Sequence, residues 1–554
     1  MTSFNDGDTA WVLVCAALVM FMVPGLAFFY AGMARSRNAL TMLQQNIVPL
    51  GVVSITWALV GYSFAYSNDF AGFIGDGFGH LGGVTAPRFH VVVPGVTIPT
   101  LAFVAYQMMF AIITPALITG ATAARLRAGG WIAFAALWSV IVYAPIAHWL
   151  WNPGGWLARL GAQDWAGGMV VHTSAGAAVF AMLLVVGRRR NWPKGDALPH
   201  SLPLTVIGAG ILWFGWFGFN AGDGLQANSV AAQALVNTQL AAAAAMIVWL
   251  IVERGHTGHA TVLGGVTGAV AGLATITPCA GYVSAYSALL IGIIAAVVCY
   301  PALKIKSLLR LDDALDVIAV HFAGGALGSL LVGLFAQRAI NPVSANGLFY
   351  GGGLTLLGHQ VIAVVCVAAF SFVLSWLIAM AIQKTIGLRV NPADEARLDE
   401  VQQGMAAYHL DHISSLPGAA ATRPATTAAG AEAAAGALPV PATGTAAVSA
   451  VTPGVRLVTA LVDPYDVDYD ALTRRLASAG GSSIVVSDVH LYSGGQSQVV
   501  RAETKAVDFP DRLRVEVLVT EVQLPEVLAA LRQASGDRSG EYIQITRPET
   551  VKLD

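Results

Sequence analysis

Eleven apolar stretches, each near the length needed to cross a lipid bilayer, lie within residues 10–383 of this 554-residue chain. A spanning helix needs about 20 consecutive apolar residues, and lipid leaves no partner for an unpaired backbone group. We therefore predict an α-helical polytopic membrane protein with eleven transmembrane helices. The predicted spans are 10–32, 42–66, 96–121, 130–150, 166–187, 201–222, 228–252, 260–276 (interrupted by glycines), 282–302, 314–336 and 358–383.

The overall composition agrees with a membrane protein. Hydrophobic residues make up 56% of the chain and charged residues 11%, and the mean hydropathy is +0.65, far from a soluble globular balance. A net charge of −2 gives no reason to expect nucleic acid. The four cysteines lie in or beside apolar segments without metal-ligand spacing, which predicts neither a metal centre nor a disulfide framework.

The basic residues in the loops predict the orientation, because cytoplasmic loops are enriched in lysine and arginine. Fourteen basic residues follow the odd-numbered spans: Arg35, Arg37, Arg125, Arg127, Arg188, Arg189, Arg190, Lys194, Arg254, Lys304, Lys306, Arg310, Lys384 and Arg389. Only Arg88, Arg159 and Arg338 lie on the other side. We expect a multi-pass protein of the cell membrane with its N-terminus outside and its C-terminus in the cytoplasm.

The composition changes after the last span, which divides the chain into four parts. We predict a membrane domain at 1–390, a cytoplasmic regulatory segment at 391–415, a disordered Ala/Pro/Thr linker at 416–453 and a soluble domain at 454–554. In the soluble domain, "VRLVTALV", "SSIVVSDVHLY", "RLRVEVLV" and "EYIQIT" predict strands, while "YDALTRRLASAG" and "PEVLAALRQAS" predict helices. The order βαββαβ is that of a ferredoxin-like domain.

Two similar motifs suggest an inverted repeat. "VHTSAGA" begins at Val171 on span five, and "VHFAGGA" begins at Val320 on span ten. An odd number of spans between the copies inverts the second, which predicts five plus five helices and one more. His172 and His321 are then paired near the midplane, where an ionisable group marks a functional site. We take Asp164 and Asp316 as their upstream partners, acting either as helix caps or as ligand contacts.

Aromatic residues recur near the outer ends of three spans. Tyr106 and Phe110 lie one turn apart on span three, Trp151 ends span four, and Phe219 and Asp223 end span six. Such residues can form a box that holds a compact cation by cation–π attraction. Spacing alone also allows an ordinary aromatic belt at the membrane surface.

Together these stretches resemble the ammonium transporter family (Amt/MEP/Rh). The resemblance extends over residues 9–409 and includes "FFYAGMARSRN", "FAIITPALITGA", "DWAGGMVVH", "WFGFNAGD", "LDDALDVIAVH" and "LDEVQQGMAAY". It implies a homotrimer that carries ammonium or ammonia through one hydrophobic pore per subunit, with no cofactor and no enzymatic activity. It assigns Trp151, Tyr106 and Asp164 to the outer ammonium site, Phe110 and Phe219 to a gate, and His172 and His321 to the pore.

Two positions depart from the family pattern. Asp223 stands where the family usually has a serine in the outer site, and Ala124 stands where a glutamate commonly precedes the arginine. A carboxylate at the outer site strengthens cation capture but slows release into the pore. The leading hypothesis is an ammonium transporter regulated by its tail, and the alternative is an ammonium sensor with little transport.

The soluble domain resembles the PII signalling proteins, which regulate ammonium transporters. "VTALVDPYDVDYDALTRRLASAG" and "RAETKAVDFPDRLRVEVLV" carry this resemblance, which implies docking on the cytoplasmic face. Gly494, Gly495 and Gln496 are the candidate residues for a nucleotide or 2-oxoglutarate. Several substitutions, such as Lys505 in place of the modified tyrosine, leave open whether the domain binds a small ligand or serves only for docking.

Overall fold

The computed structural model describes two compact units of the chain, residues 1–420 and 421–554. The described residues are 4–76, 95–190, 192–193, 199–408, 455–462, 476, 478, 483–490, 511–520, 523–535 and 543–546. The predicted linker at 416–453 lies outside them, as does most of the predicted helix at 469–480, of which Leu476 and Ser478 are described as helical.

The first unit is helical, and ten of its described helices are long and apolar enough to cross a membrane. They are α1 (Asp6–Met33), α2 (Ser36–Tyr66), α3 (Thr100–Ala121), α4 (Ala128–Leu160), α5 (Gly168–Val186), α6 (Leu202–Gly222), α7 (Ser229–Thr257), α9 (Ala285–Leu308), α10 (Ile318–Phe335) and α11 (Thr355–Thr385). Helix α8 (Val262–Ile276) is apolar but has only 15 residues. It occupies the eighth predicted span, which is thus the one that falls short of a full crossing length.

Helices α1 and α6 approach closely because glycines line their contact. A side chain at Gly25 would overlap Ile211 of α6, and one at Gly208 would overlap the backbone of Phe29 of α1. Small residues at helix contacts allow backbones to approach inside a membrane, where the hydrophobic effect contributes little to association. This close pair places Met22 and Phe219 against the same internal cavity.

The outer end of α4 is held by a short hairpin, β1 (Asp69–Phe70) paired with β2 (Ile74–Gly75). Asp69 accepts a hydrogen bond from Arg159 at 2.9 Å and lies 3.0 Å from Nε2 of the buried His148. Burial opposes ionisation, but the contacts with His148, Gly72 and Arg159 hold the pKa of Asp69 below its ordinary value. Within α4, the α-helical stretch Ala144–Trp151 contains His148 and ends one turn after it. The hairpin therefore fixes the position of that tryptophan.

Helices α5 and α10 both begin with a π-helical turn, Gly168–Thr173 and Ile318–Ala323. Such turns are rare and often occur at functional sites. Four residues after each histidine is a glycine on the contact surface. A Cβ at Gly176 would overlap Phe322, and a Cβ at Gly325 would overlap Cβ of His172. The two helices can thus cross closely enough for their histidines to meet.

The turn after α3 buries an arginine. Arg125 has no exposed surface, and its guanidinium donates to the carbonyls of Ala121, Gly187 and Asp312. The Asp312 carboxylate lies 3.4 Å away and is also bound by Arg189. The preceding residue, Ala124, has φ +63°. This left-handed conformation costs an L-residue other than glycine roughly 1–2 kcal/mol.

Residues after α11 fold back onto the ends of several spans. Leu126 and Arg389 form an isolated antiparallel bridge. Asp399, in the short helix α12 (Leu398–Gln403), accepts hydrogen bonds from the backbone N–H groups of Leu40 and Thr41. His200 lies 2.8 Å from the hydroxyl of Tyr408, close to the last described residue of this unit. The segment is therefore anchored to the first turns of α2 and to the loops that precede α4 and α6.

The second unit contains an antiparallel four-stranded sheet. Its strands are β3 (Val455–Val462), β4 (Ser483–His490), β5 (Asp511–Thr520) and β6 (Ile543–Thr546), in the order β4-β5-β3-β6. Val458 of β3 pairs with Val517 of β5 and with Ile545 of β6. Helix α13 (Leu524–Ser535) follows β5. The strands coincide with the four segments in which the sequence predicts them.

Replacing Ala124 by glycine should stabilise the first unit, because glycine adopts a positive φ without the steric cost paid by alanine. We expect the melting midpoint of the purified protein in detergent to rise by about 1–2 °C, corresponding to about 1 kcal/mol. Ala123→Gly is the matched control, because the neighbouring Ala123 does not have a positive φ. That change should lower the midpoint, and a rise with both variants would contradict the explanation.

Candidate functional site

A vestibule of about 510 Å³ opens where α2, α4 and α6 end and α3 and α5 begin. Trp151, Asp164 and Asp223, three of the residues predicted from sequence, line it. The described lining includes these two aspartates and no lysine, arginine or histidine. Because its described lining carries two carboxylates and several aromatic rings but no basic side chain, the vestibule suits a cation.

Trp151 is held by a hydrogen bond and by a ring contact. Its indole N–H donates to the backbone carbonyl of Asp164 at 2.8 Å. Its ring meets Phe110 edge to face, with the ring centres 5.8 Å apart and the planes at 87°. The side chain is only partly buried, so one face remains available to the vestibule.

Phe110 and Phe219 form a constriction between the vestibule and the inner cavity, since Phe110 contacts Trp151 of the vestibule and Phe219 lines the cavity. Their ring centres are 4.2 Å apart, and both side chains are almost completely buried. Tyr106, which the sequence assigns to the outer site, is fully buried and is not part of the described vestibule lining. Its hydroxyl donates to the carbonyl of Phe219 at 2.8 Å, and its ring lies 5.0 Å from Phe110. It therefore supports the two phenylalanines from behind.

The two histidines meet below this constriction. Nδ1 of His172 lies 3.1 Å from Nδ1 of His321, and the two rings are nearly parallel, with centres 5.2 Å apart. Trp216 stacks on the other side of His172 at 5.6 Å. Nε2 of His172 is buried and has no hydrogen-bond partner among the described residues. Since one Nδ1 must donate and the other accept, the pair shares one proton between its rings.

The histidines line a narrow apolar cavity. Its other lining residues are Met22, Leu26, Phe29, Ile113, Leu117, Val171, Leu212, Trp216, Phe219 and Val270. The space accessible to the centre of a water-sized molecule is about 20 Å³. That is room for about one water molecule, since a single one needs at least about 10–15 Å³. The cavity therefore suits very small molecules in single file.

Asp164 caps the helix that carries His172. Its two carboxylate oxygens accept hydrogen bonds from the backbone N–H groups of Gly167, Gly168, Met169 and Val170, at 2.6–3.1 Å. Burial raises the pKa of this carboxyl to about 6, and the four N–H groups limit the rise. Of the two alternatives left by the sequence, the helix cap accounts for these contacts.

The corresponding cap on α10 is Asp313, and the sequence assignment of Asp316 to this position is wrong. Asp313 accepts from the N–H groups of Val317 and Ile318, at 3.1 and 2.7 Å. Asp316 instead pairs with Lys306 at 2.8 Å and is partly exposed. Asp313 and Asp164 each precede their histidine by eight residues. This equal spacing could have identified Asp313 as the cap from the sequence.

Comparison with known proteins identifies this arrangement. Residues 10–408 match the Ammonium Transporter Family. The chain belongs to the ammonium transporter family. It is 44% identical over 407 residues to ammonium transporter Amt1 of Archaeoglobus fulgidus, which covers 73% of this chain and all of that protein.

Two further comparisons agree. An ammonium transporter of Mycobacterium tuberculosis is 44% identical over 431 residues, covering 73% of this chain and 90% of that protein. The crystal structure of Candida albicans Mep2 superimposes with a TM-score of 0.66 at 33% identity, covering 71% of this chain and 88% of that chain.

The two departures from the family pattern have different surroundings. Asp223 is half-buried in the vestibule wall, and burial together with the charge of Asp164 raises the pKa of its carboxyl. Ala124 only forms the turn before Arg125, whose buried charge is balanced by Asp312. Of the two departures, only Asp223 lies in the vestibule wall.

Sequence reasoning missed several residues that line these cavities, among them three with polar or aromatic side chains. Tyr66 and Gln107 line the vestibule, and Trp216 lines the cavity beside His172. Gln107 follows Tyr106 directly and is a polar residue in an apolar span, which was a usable signal. Trp216 begins the "WFGFNAGD" motif, which was also a usable signal, whereas nothing in the sequence distinguishes Tyr66 from other aromatic residues.

Two other predictions concern a small-ligand site in the soluble domain and the absence of a metal centre. Gly494, Gly495 and Gln496 lie in 491–510, outside the described residues. Within the described ranges, no group of three or more His, Cys, Asp or Glu side chains could hold a metal ion.

Asp164→Asn should destabilise the protein, because one carboxylate oxygen becomes an amide donor that faces backbone donors. Leaving a buried donor unpaired costs about 1–3 kcal/mol, so we expect the melting midpoint in detergent to fall by several degrees. Asp316→Asn changes a partly exposed carboxylate that pairs with Lys306, and such a pair contributes about 0–1 kcal/mol. Equal midpoints for the two variants would contradict the assignment of the cap.

Proposed function

We propose that this protein carries ammonium across the membrane, capturing it in the outer vestibule and passing it beyond Phe110 and Phe219 to the paired histidines. The observation that carries the proposal is the 3.1 Å contact between Nδ1 of His172 and Nδ1 of His321 in an otherwise apolar cavity. Membership of the ammonium transporter family supplies the substrate.

The histidine pair offers complementary groups to a small molecule. The ring that donates from Nδ1 has a bare Nε2, which accepts, whereas the other neutral ring carries a hydrogen on Nε2, which donates. Ammonia both donates and accepts hydrogen bonds, so it can interact with both rings in turn. Potassium has no hydrogen to donate, and these two nitrogens are a poor substitute for its hydration shell.

Because the cavity is apolar, ammonium sheds its proton before it enters. Moving an intact cation into a medium of low dielectric constant costs on the order of 20 kcal/mol by the idealised Born estimate. Separating NH4+ into NH3 and H+ avoids most of this cost. NH3 then moves along the cavity, while the proton passes through the imidazole nitrogens and rejoins NH3 on the cytoplasmic side.

The outer site prepares this step. Trp151 presents a ring face for cation–π attraction, worth about 0.5–2 kcal/mol, and Asp223 contributes negative charge. Asp164 acts indirectly, since its carboxylate caps α5 and its carbonyl orients the Trp151 indole. Tyr106 holds the backbone of Phe219 and so supports the gate.

The remaining architecture is also part of the proposal. Eleven spans in an inverted five-plus-five repeat, with α8 counted as a span, agree with the matched positions of His172, His321 and their caps. The loop charges support an N-terminus outside and a C-terminus in the cytoplasm. We include the homotrimer that the family resemblance implies.

We further propose that residues 454–554 form a PII-like ferredoxin-like domain that regulates transport from the cytoplasmic face. The strand order β4-β5-β3-β6 supports it, since this is the order 2-3-1-4 of a βαββαβ chain. A 38-residue flexible linker spans roughly 30–35 Å. Regulation would therefore require the domain to dock, because such a linker transmits no rotation.

Replacing both pore histidines by leucine tests the carrying observation. In proteoliposomes, His172→Leu/His321→Leu should lower ammonium flux at least about tenfold or abolish its selectivity over K+, because the proton path and the complementary nitrogens are lost. The double variant His256→Leu/His259→Leu removes two exposed imidazoles and should transport like wild type. Selective flux that survives in the first variant would contradict the proposed pore.

A further inference from the structure

The vestibule contains polar groups for which the proposed transport step gives no role. Tyr66 and Gln107 line it, yet their side chains are only 1% and 3% exposed. The hydroxyl of Tyr66 and Oε1 of Gln107 are buried, and neither has a hydrogen-bond partner among the described residues. Leaving a buried polar group unpaired costs about 1–3 kcal/mol, so each of these atoms needs an explanation.

Asp223, whose negative charge the proposed function already uses, lies in the same lining. Its carboxylate lines the same vestibule and accepts no hydrogen bond from the part of the chain that is described. It is near enough to Tyr66 for the two to interact electrostatically. Asp164, the other carboxylate in the wall, already accepts four backbone N–H groups. Asp223 therefore contributes the vestibule's unused acidic oxygens.

These three side chains supply a particular chemistry. A carboxylate and an amide oxygen only accept hydrogen bonds, and a phenol oxygen can do so. Oxygen sets of this kind replace the hydration shell of a monovalent cation, as carbonyl oxygens do for K+ in channel filters. They do not require the bound cation to carry a hydrogen. In this respect they differ from the paired histidines.

We propose that Asp223, Gln107 and Tyr66 form an oxygen-lined site for a monovalent cation in the outer vestibule, which K+ occupies in competition with ammonium. Its three residues line the vestibule together with Trp151. K+ bound there cannot shed a proton and does not continue into the apolar cavity. It therefore acts as a competitive inhibitor and not as a substrate.

This inference deepens the proposed function and rests on it for one of its two readouts. In the first, ammonium currents of the full-length protein are recorded in proteoliposomes on a supported membrane. External KCl is compared with N-methyl-D-glucamine chloride at equal ionic strength. We expect K+ to raise the apparent KM for ammonium several-fold without changing the maximal current.

Three variants locate the effect. Asp223→Asn is nearly isosteric and should reduce the K+ sensitivity of the apparent KM by about tenfold. Tyr66→Phe is also nearly isosteric and should reduce this sensitivity by a smaller factor. Asp76→Asn removes an exposed carboxylate next to the β1–β2 hairpin, outside the vestibule lining, and should keep wild-type sensitivity. Equal effects of K+ and N-methyl-D-glucamine, or unchanged sensitivity in Asp223→Asn, would overturn the site.

The second readout does not need transport. A cation that binds only the folded protein raises its melting midpoint, so KCl should stabilise purified wild type over N-methyl-D-glucamine chloride. Asp223→Asn should lose this difference. If K+ stabilises the wild type but no ammonium current is found, the proposed function fails and the site stands. If current is present without either K+ effect, the site fails and the function stands.

Discussion

The contact between the two buried imidazoles depends on how closely α5 and α10 cross. Gly176 and Gly325 lie where a methyl group would overlap the opposite helix, and each follows its histidine by four residues. Asp164 and Asp313 precede the histidines by eight residues and satisfy the N–H groups where the helices begin. Capped start, π-helical turn, histidine and glycine thus occur twice, and each element helps to hold the ring nitrogens 3.1 Å apart.

In the proposed function, the vestibule and the cavity impose different selections on a passing cation. Aromatic faces and oxygen atoms in the vestibule recognise charge and size, which ammonium and K+ share. The apolar cavity and the histidine pair recognise the capacity to lose a proton and to form hydrogen bonds, which K+ lacks. With Asp223 in the vestibule, the first selection becomes stronger and less specific. Discrimination between ammonium and K+ therefore depends mainly on the apolar cavity and the histidine pair, whose geometry is set by the crossing of α5 and α10.

Much of this arrangement could be predicted from the sequence. Apolar runs determined the spans, because lipid allows few other backbones, and the repeated "VH" motifs located both histidines. The prediction of the aspartate upstream of His321 failed because three aspartates, at 312, 313 and 316, lie within five residues and look alike in the sequence. Only the position at which α10 begins shows that Asp313 is its cap. Tyr106 was placed in the vestibule although its hydroxyl points to a backbone carbonyl. Tyr66 was missed because it reaches the vestibule from a span with no recognised motif, and such contacts follow from tertiary packing.

The most direct test is the electrogenic current that ammonium produces with the full-length protein in liposomes on a supported membrane, compared with Asp223→Ser. The account predicts a saturable wild-type current, because the capped helices, the paired histidines and the cavity below the gate form a usable path. It predicts at most a weaker hold on ammonium in Asp223→Ser. Absence of wild-type current, with current restored by Asp223→Ser, would contradict the account and indicate a protein that captures ammonium to sense it.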